Sequence, residues 1–163
     1  MKSLLTLSSL ILVLGFTSAF ADEASDREEI EGLLWRYTRA LDTLDADAYL
    51  AVFTPDGSFS SGSSNSEGHA ALRTMIEGVK KSQSERAASS GQSSPPMYHM
   101  TTDSWIEFID ADHARHHSYW LTVFGAAGAG STPNVAAAGR GVDELVRVDG
   151  KWLIQSRDVS PTD

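Results

Sequence analysis

The sequence predicts an α+β domain in which N-terminal helices pack on one face of a curved antiparallel sheet. Three observations carry that class. Helical periodicity is confined to the first half of the chain, between residues 26 and 81. From Tyr98 onward, apolar and polar residues alternate in strand-length runs. Turn signals ("IDAD", "VDGK") join those runs as hairpins rather than as helical crossovers. Helices first and an antiparallel meander afterwards is the α+β pattern, not the alternation of an α/β fold.

The opening "MKSLLTLSSLILVLGFTSAFA" precedes this domain. Lys2 starts it, Leu4 to Phe20 is uncharged, and Ala19-Phe20-Ala21 has the small-x-small form of a cleavage site. The segment reads as a secretory signal peptide, residues 1–21, cut before Asp22. A retained anchor is the rival, since Leu4–Phe20 lies at the short edge of the roughly 17–25 residues that span a bilayer. The polar "DEASDREE" that follows favours removal and places the chain in the periplasm or outside the cell. Residues 22–163 then form one domain, long enough to bury a sizeable core.

Ser25 or Asp26 can cap a first helix, with Glu28 and Glu29 in its first turn. Ile30, Leu33, Leu34, Tyr37 and Leu41 recur at helical spacing, so the helix covers 26–43. Asp45 caps a short second helix through "ADAYLAVF". "TPDG" at 54–57 reads as a turn, and "GHAALRTMIEGVKK" at 68–81 as a third helix with Ala71, Leu72, Met75, Ile76 and Val79 inward. The serine-rich stretch 82–96 reads as a loop. Strands follow at 98–110, 113–125, 139–148 and 151–158, with "GAAGAGSTPN" as a long connection.

Composition narrows the function. The formal net charge is −9 and there is no cysteine. The acidic balance argues against nucleic acid or an anionic membrane as partner, and an exported chain of this kind folds without disulfides. Both faces of the strand at 113–125 carry apolar groups, with Tyr119, Leu121 and Val123 opposite the inner face. A sheet with helices on one side must cover the other, which predicts a homodimer.

Asp42 is the residue that the pattern does not explain. It sits in the last turn of the first helix, where the dipole disfavours an anion, and at the flank of the apolar stripe. A solvated acid at a helix end is the ordinary reading. His99, opening a strand, is the candidate partner; alternation puts it on one face with Thr101, Asp103 and Trp105. A carboxylate beside an imidazole fixes its tautomer and raises its basicity, which makes a general base. The plainer reading is a histidine bonded to a backbone carbonyl. "HARHH" at 113–117 has the composition of a metal site, but His116 and His117 face opposite ways and His113 sits in the turn, so no metal is expected. His116 shares a face with Ser118, Trp120 and Thr122, which resembles a cavity lining. Arg157 can hold an anionic leaving group or a substrate oxygen at a pocket rim, or simply pair with Asp143 or Glu144 on the next strand. No serine sits in a strand–turn–helix elbow.

The ordered set "EIEGLLWRYTRALDTLDADAYLAVFTPDGSF", "GHAAL", "YHMTTDSWIEF", "ADHARHHSYWLTVF" and "GRGVDELVRVDGKWLIQSRDVS" resembles the SnoaL-like branch of the nuclear transport factor 2-like superfamily. The resemblance runs from about Asp26 to Ser160. It implies a cone-shaped curved antiparallel sheet wrapped around N-terminal helices, with an apolar pocket inside. It also implies roles. Asp42 and His99 match the catalytic aspartate–histidine pair of scytalone dehydratase and lindane dehydrochlorinase, and Arg157 the latter's pocket arginine. His116 matches a second catalytic histidine loosely. Gly141 departs from an aromatic position of the relatives, and Asp103 from an asparagine. The expectation is a cofactor-free lyase or isomerase (dehydratase- or cyclase-type) acting on a small apolar molecule. Asp42 and His99 would be catalytic, and Tyr37, Trp105, His116, Trp120, Thr122 and Arg157 would bind substrate. The alternative on the same fold is a non-catalytic small-molecule-binding protein.

Overall fold

The computed structural model of the chain describes residues 14–126 and 130–162. Most of the expected signal peptide, residues 1–13, lies outside the described residues, as does part of the long connection at 127–129. Helix α1 (Leu14–Thr43) begins upstream of the predicted start at Asp26. Among the described residues no helix is long and apolar enough to cross a membrane. The stripe of α1 buries Ile30, Leu33, Tyr37 and Ala40, with Leu34 and Leu41 partly covered.

The way α1 ends positions the site. Leu44 adopts a left-handed backbone, φ 52°. The Asp45 amide reaches the Ala40 carbonyl at 3.0 Å and the Leu44 amide reaches Leu41 at 3.2 Å, the paired closure usually made with glycine. A leucine there costs on the order of 1–3 kcal/mol of backbone strain. Its side chain is only 7 % exposed, so burial offsets the strain. Asp45 then caps α2 (Ala46–Leu50) by accepting from the Ala48 amide at 3.0 Å.

Helix α2 stops sooner than predicted, because Phe53 already belongs to β1 (Phe53–Ser61). The predicted turn at "TPDG" is an irregularity inside that strand: its register against β6 (Lys151–Asp158) shifts between Phe53 and Ser58. Strand β2 (Ser64–Glu67), absent from the prediction, pairs back on β1. Helix α3 (Gly68–Ser90) runs well past the predicted end. The serines after Lys81 do not break it, since the Ser84 and Ser89 hydroxyls fold back on carbonyls four residues earlier, at 3.0 and 2.8 Å. Gly91, φ 64°, closes it.

Strands β3 (Met97–Phe108), β4 (His113–Phe124) and β5 (Asn134–Val148) complete a six-stranded sheet in the order β2-β1-β6-β5-β4-β3. All neighbours are antiparallel except β1 and β6, which run parallel. Strand β5 starts earlier than predicted and takes in the small residues at 136–138. The core lies between α1, α3 and the inner face of this sheet, centred on Trp152, Leu145, Ile154, Leu72 and Ile76.

Candidate functional site

Asp42 and His99 meet across the seam between α1 and β3. One oxygen of Asp42 lies 2.8 Å from the His99 ring Nδ1 and 2.8 Å from the His99 backbone nitrogen. The carboxylate can only accept, so Nδ1 donates, and in the neutral ring Nε2 is then the bare nitrogen. Asp42 is 7 % exposed and His99 20 %, so the pair sits inside the seam but remains reachable. Half-exposed Arg39 stands 3.9 Å from the second Asp42 oxygen, close enough to temper its charge only slightly.

His99 opens onto a cavity of about 210 Å³ between α1 and the inner face of the sheet. Tyr37, Phe59, Trp120, Thr122 and Arg157 share its walls. Larger depressions exist, such as the groove of about 460 Å³ beside the end of α3 around Gln83, Arg86 and Pro95. That groove is serine-lined surface without a base, so the smaller cavity is the candidate.

Beneath the cavity runs a polar row set by strand register. His116 stands opposite Asp143, and Asp143 opposite Arg157. The His116 Nδ1 and an Arg157 terminal nitrogen both reach the same Asp143 oxygen, at 2.8 and 2.7 Å. Histidine and aspartate are 0 % exposed and the arginine 4 %. The guanidinium lies 4.2 Å from the centre of the Tyr37 ring, and its Nε–H has no protein partner. Burial pushes the Tyr37 phenol up, although the Arg157 charge opposes the shift. Tyr49, packed against it, is raised well above the ordinary phenol range, chiefly by burial. Both phenols therefore stay neutral donors near neutral pH. Burial is the strongest single influence on Arg157 and acts against its charge, yet Asp143 and the two tyrosines together raise its pKa.

Two of the predicted pocket residues lie elsewhere. Trp105 is on the outer face, 59 % exposed and stacked on His117 with ring centres 5.2 Å apart. The cause is a bulge: the β3–β4 register jumps from Thr102 opposite Tyr119 to Trp105 opposite His117, and Asp103 takes φ 46°. One extra residue reverses the alternation from there on. His116 faces inward as predicted but is sealed below the cavity, its Nε2 2.6 Å from the Ser104 hydroxyl. Ser104, His116 and Asp143 thus line up as a serine–histidine–aspartate chain. It lacks the features of a nucleophilic triad, because the histidine is closed to a leaving group and the aspartate is shared with Arg157. The histidines of "HARHH" are dispersed: His113 pairs with Asp110 at 2.9 Å, and among the described residues no three ligating side chains converge. Sequence reading missed Ser104, which the bulge brings to His116, and the His116–Asp143 bond, which strand register sets.

Helices packed on the inner face of a curved six-stranded sheet define a nuclear transport factor 2-like cone. Residues 22–158 match the model of the SnoaL-like domain, and the chain belongs to that family. Solved structures agree on the fold. A nuclear transport factor 2-like protein with a cystatin-like fold from Novosphingobium aromaticivorans superposes with a TM-score of 0.73 at 22% identity, covering 92% of this chain and 90% of that one. A candidate scytalone dehydratase from the same organism gives 0.68 at 19% identity, covering 88% and 89%. A candidate aromatic ring hydroxylase, also from that organism, gives 0.66 at 25% identity, covering 84% and 89%. No curated protein matches the chain in sequence.

Proposed function

We propose that this chain is an exported, cofactor-independent lyase or isomerase that acts on a compact, largely apolar molecule. The observation that carries the reading is the double hold of Asp42 on His99, which leaves Nε2 bare on a residue that lines the cavity. Nε2 takes a proton from carbon next to an activating group, and Asp42 stabilises the imidazolium that forms. The electron pair left on carbon expels a leaving group, giving a double bond, or moves onto an adjacent carbonyl until a proton returns at another carbon. Arg157, a buried cation on a residue that lines the cavity, suits the oxygen or leaving group on which negative charge collects. The candidate dehydratase among the structural neighbours supports this class of chemistry, and the walls of Phe59, Trp120 and Leu41 support an apolar ligand.

The test uses compact ring ketones such as acetophenone in deuterated buffer, read by proton magnetic resonance at the acidic carbon. The protein should speed deuterium uptake, and His99→Ala should abolish the effect. The second reading is a binding protein on the same cone, favoured by the burial of the whole His116–Asp143–Arg157 row. Ketone binding without any exchange would select it and remove the catalytic proposal.

A further inference from the structure

The inner face of β5 is nearly bare along the cavity, with Ala137, Gly139 and Gly141 at successive inward positions opposite Thr122, Trp120 and Ser118. Trp120 fills that bareness from the neighbouring strand. A Cβ on Gly139 would stand 2.6 Å from the indole Cζ2 and 2.8 Å from Cε2; one on Gly141 would stand 3.6 Å from Cδ1. The ring therefore lies flat where β5 has no side chains. Its N–H is shared between two carbonyls, Arg140 at 2.9 Å and Val159 at 3.2 Å. Those carbonyls belong to β5 and to the segment after β6, so the ring is held from two sides. Swinging it aside would strip its N–H of both partners inside a partly buried wall.

We propose that Trp120, seated on Gly139 and Gly141, is the specificity-determining residue that limits the ligand to one compact ring. The cavity of about 210 Å³ is smaller than the ~300–1,000 Å³ of drug-sized sites, and at protein-like packing it holds roughly ten non-hydrogen atoms. Among the described residues that surround the cavity, Gly139 and Gly141 are where the strand behind the indole carries no side chain of its own. Removing the ring would add a space of its own shape and admit a second fused ring. The inference rests on the cavity being the ligand site, as in the proposed function, but not on catalysis there.

Acetophenone and its two-ring homologue 2-acetonaphthone separate the cases, with binding measured by calorimetry on folded protein verified by circular dichroism. The unaltered protein should prefer acetophenone by about tenfold or more, and Trp120→Ala should reverse that preference. Gly139→Ala, which drives a methyl into the indole, should weaken acetophenone by about tenfold or more. The double variant should behave like Trp120→Ala, because no ring remains to be displaced. If Gly139→Ala fails to fold, the Trp120→Ala arm decides alone. An unchanged ranking in Trp120→Ala overturns the inference and leaves the cavity as the ligand site. Binding of neither ketone to any variant overturns both.

Discussion

At Asp42, asparagine could keep one oxygen for both the His99 amide and Nδ1–H but, being neutral, could no longer stabilise an imidazolium. Asp42→Asn should therefore leave the fold intact and lower the deuterium-uptake rate on the order of a hundredfold or more. His99→Ala should cost at least as much, with little added in the double variant, because the two act as a unit. Asp45→Asn is the control three residues away: asparagine caps α2 as well as aspartate does, and the rate should not move. Asp143 is a different case. Its carboxylate is the shared acceptor for buried Arg157 and His116, so Asp143→Ala strands a cation in the core. Urea unfolding should show a loss of about 3–5 kcal/mol. A loss no larger than that of an exposed aspartate would mean that the row contributes nothing to stability.

Among the elements, those with a strong period were legible and those governed by one local exception were not. The stripe of α1, the Asp45 cap and the β5–β6 hairpin at Asp149-Gly150 follow from spacing and turn chemistry. The full length of α3 did not, because its serines satisfy their hydroxyls within the helix rather than in loop turns. Alternation along β3 placed His99 correctly and Trp105 wrongly, the difference being one bulge that nothing in "TTDSW" announces. Cross-strand partners such as His116 and Asp143 depend on register, which a single sequence leaves open. Another element-level tie has a measurable weight. Arg147 of β5 binds Asp26 of α1, lies 4.7 Å over the Trp152 ring and donates to the Ala111 carbonyl at 3.2 Å. Arg147→Ala should unclasp the helix from the sheet and lower stability by about 1.5–3 kcal/mol, read as a shift in the urea midpoint at unchanged slope.

For the whole molecule, the inner face is covered by helices and the outer face is not. Tyr98, Met100, Tyr119 and Val135 are all about half or more exposed, on the three adjacent strands β3, β4 and β5. Register puts Tyr98 beside Val123 and Val123 beside Val135, so the apolar groups form a continuous patch. A patch of this kind on one side of a sheet is best covered by a second copy. We predict a homodimer through this face at micromolar concentration by light scattering, converted to monomer by Tyr119→Glu together with Met100→Glu. A monomeric unaltered protein would count against it.

The bond from the His99 amide to Asp42 has a further consequence, for exchange with solvent deuterium. Strand β3 is an edge, so amides on its free side should exchange within the time of local fraying. His99 points that way, yet its hydrogen is tied to a carboxylate of another element. Its exchange rate then reports how often helix and strand part company at the cavity mouth, one amide serving as a clock for access to the site. That amide should exchange at least about tenfold more slowly than the free-side amide of Thr101, and Asp42→Ala should bring the two rates together.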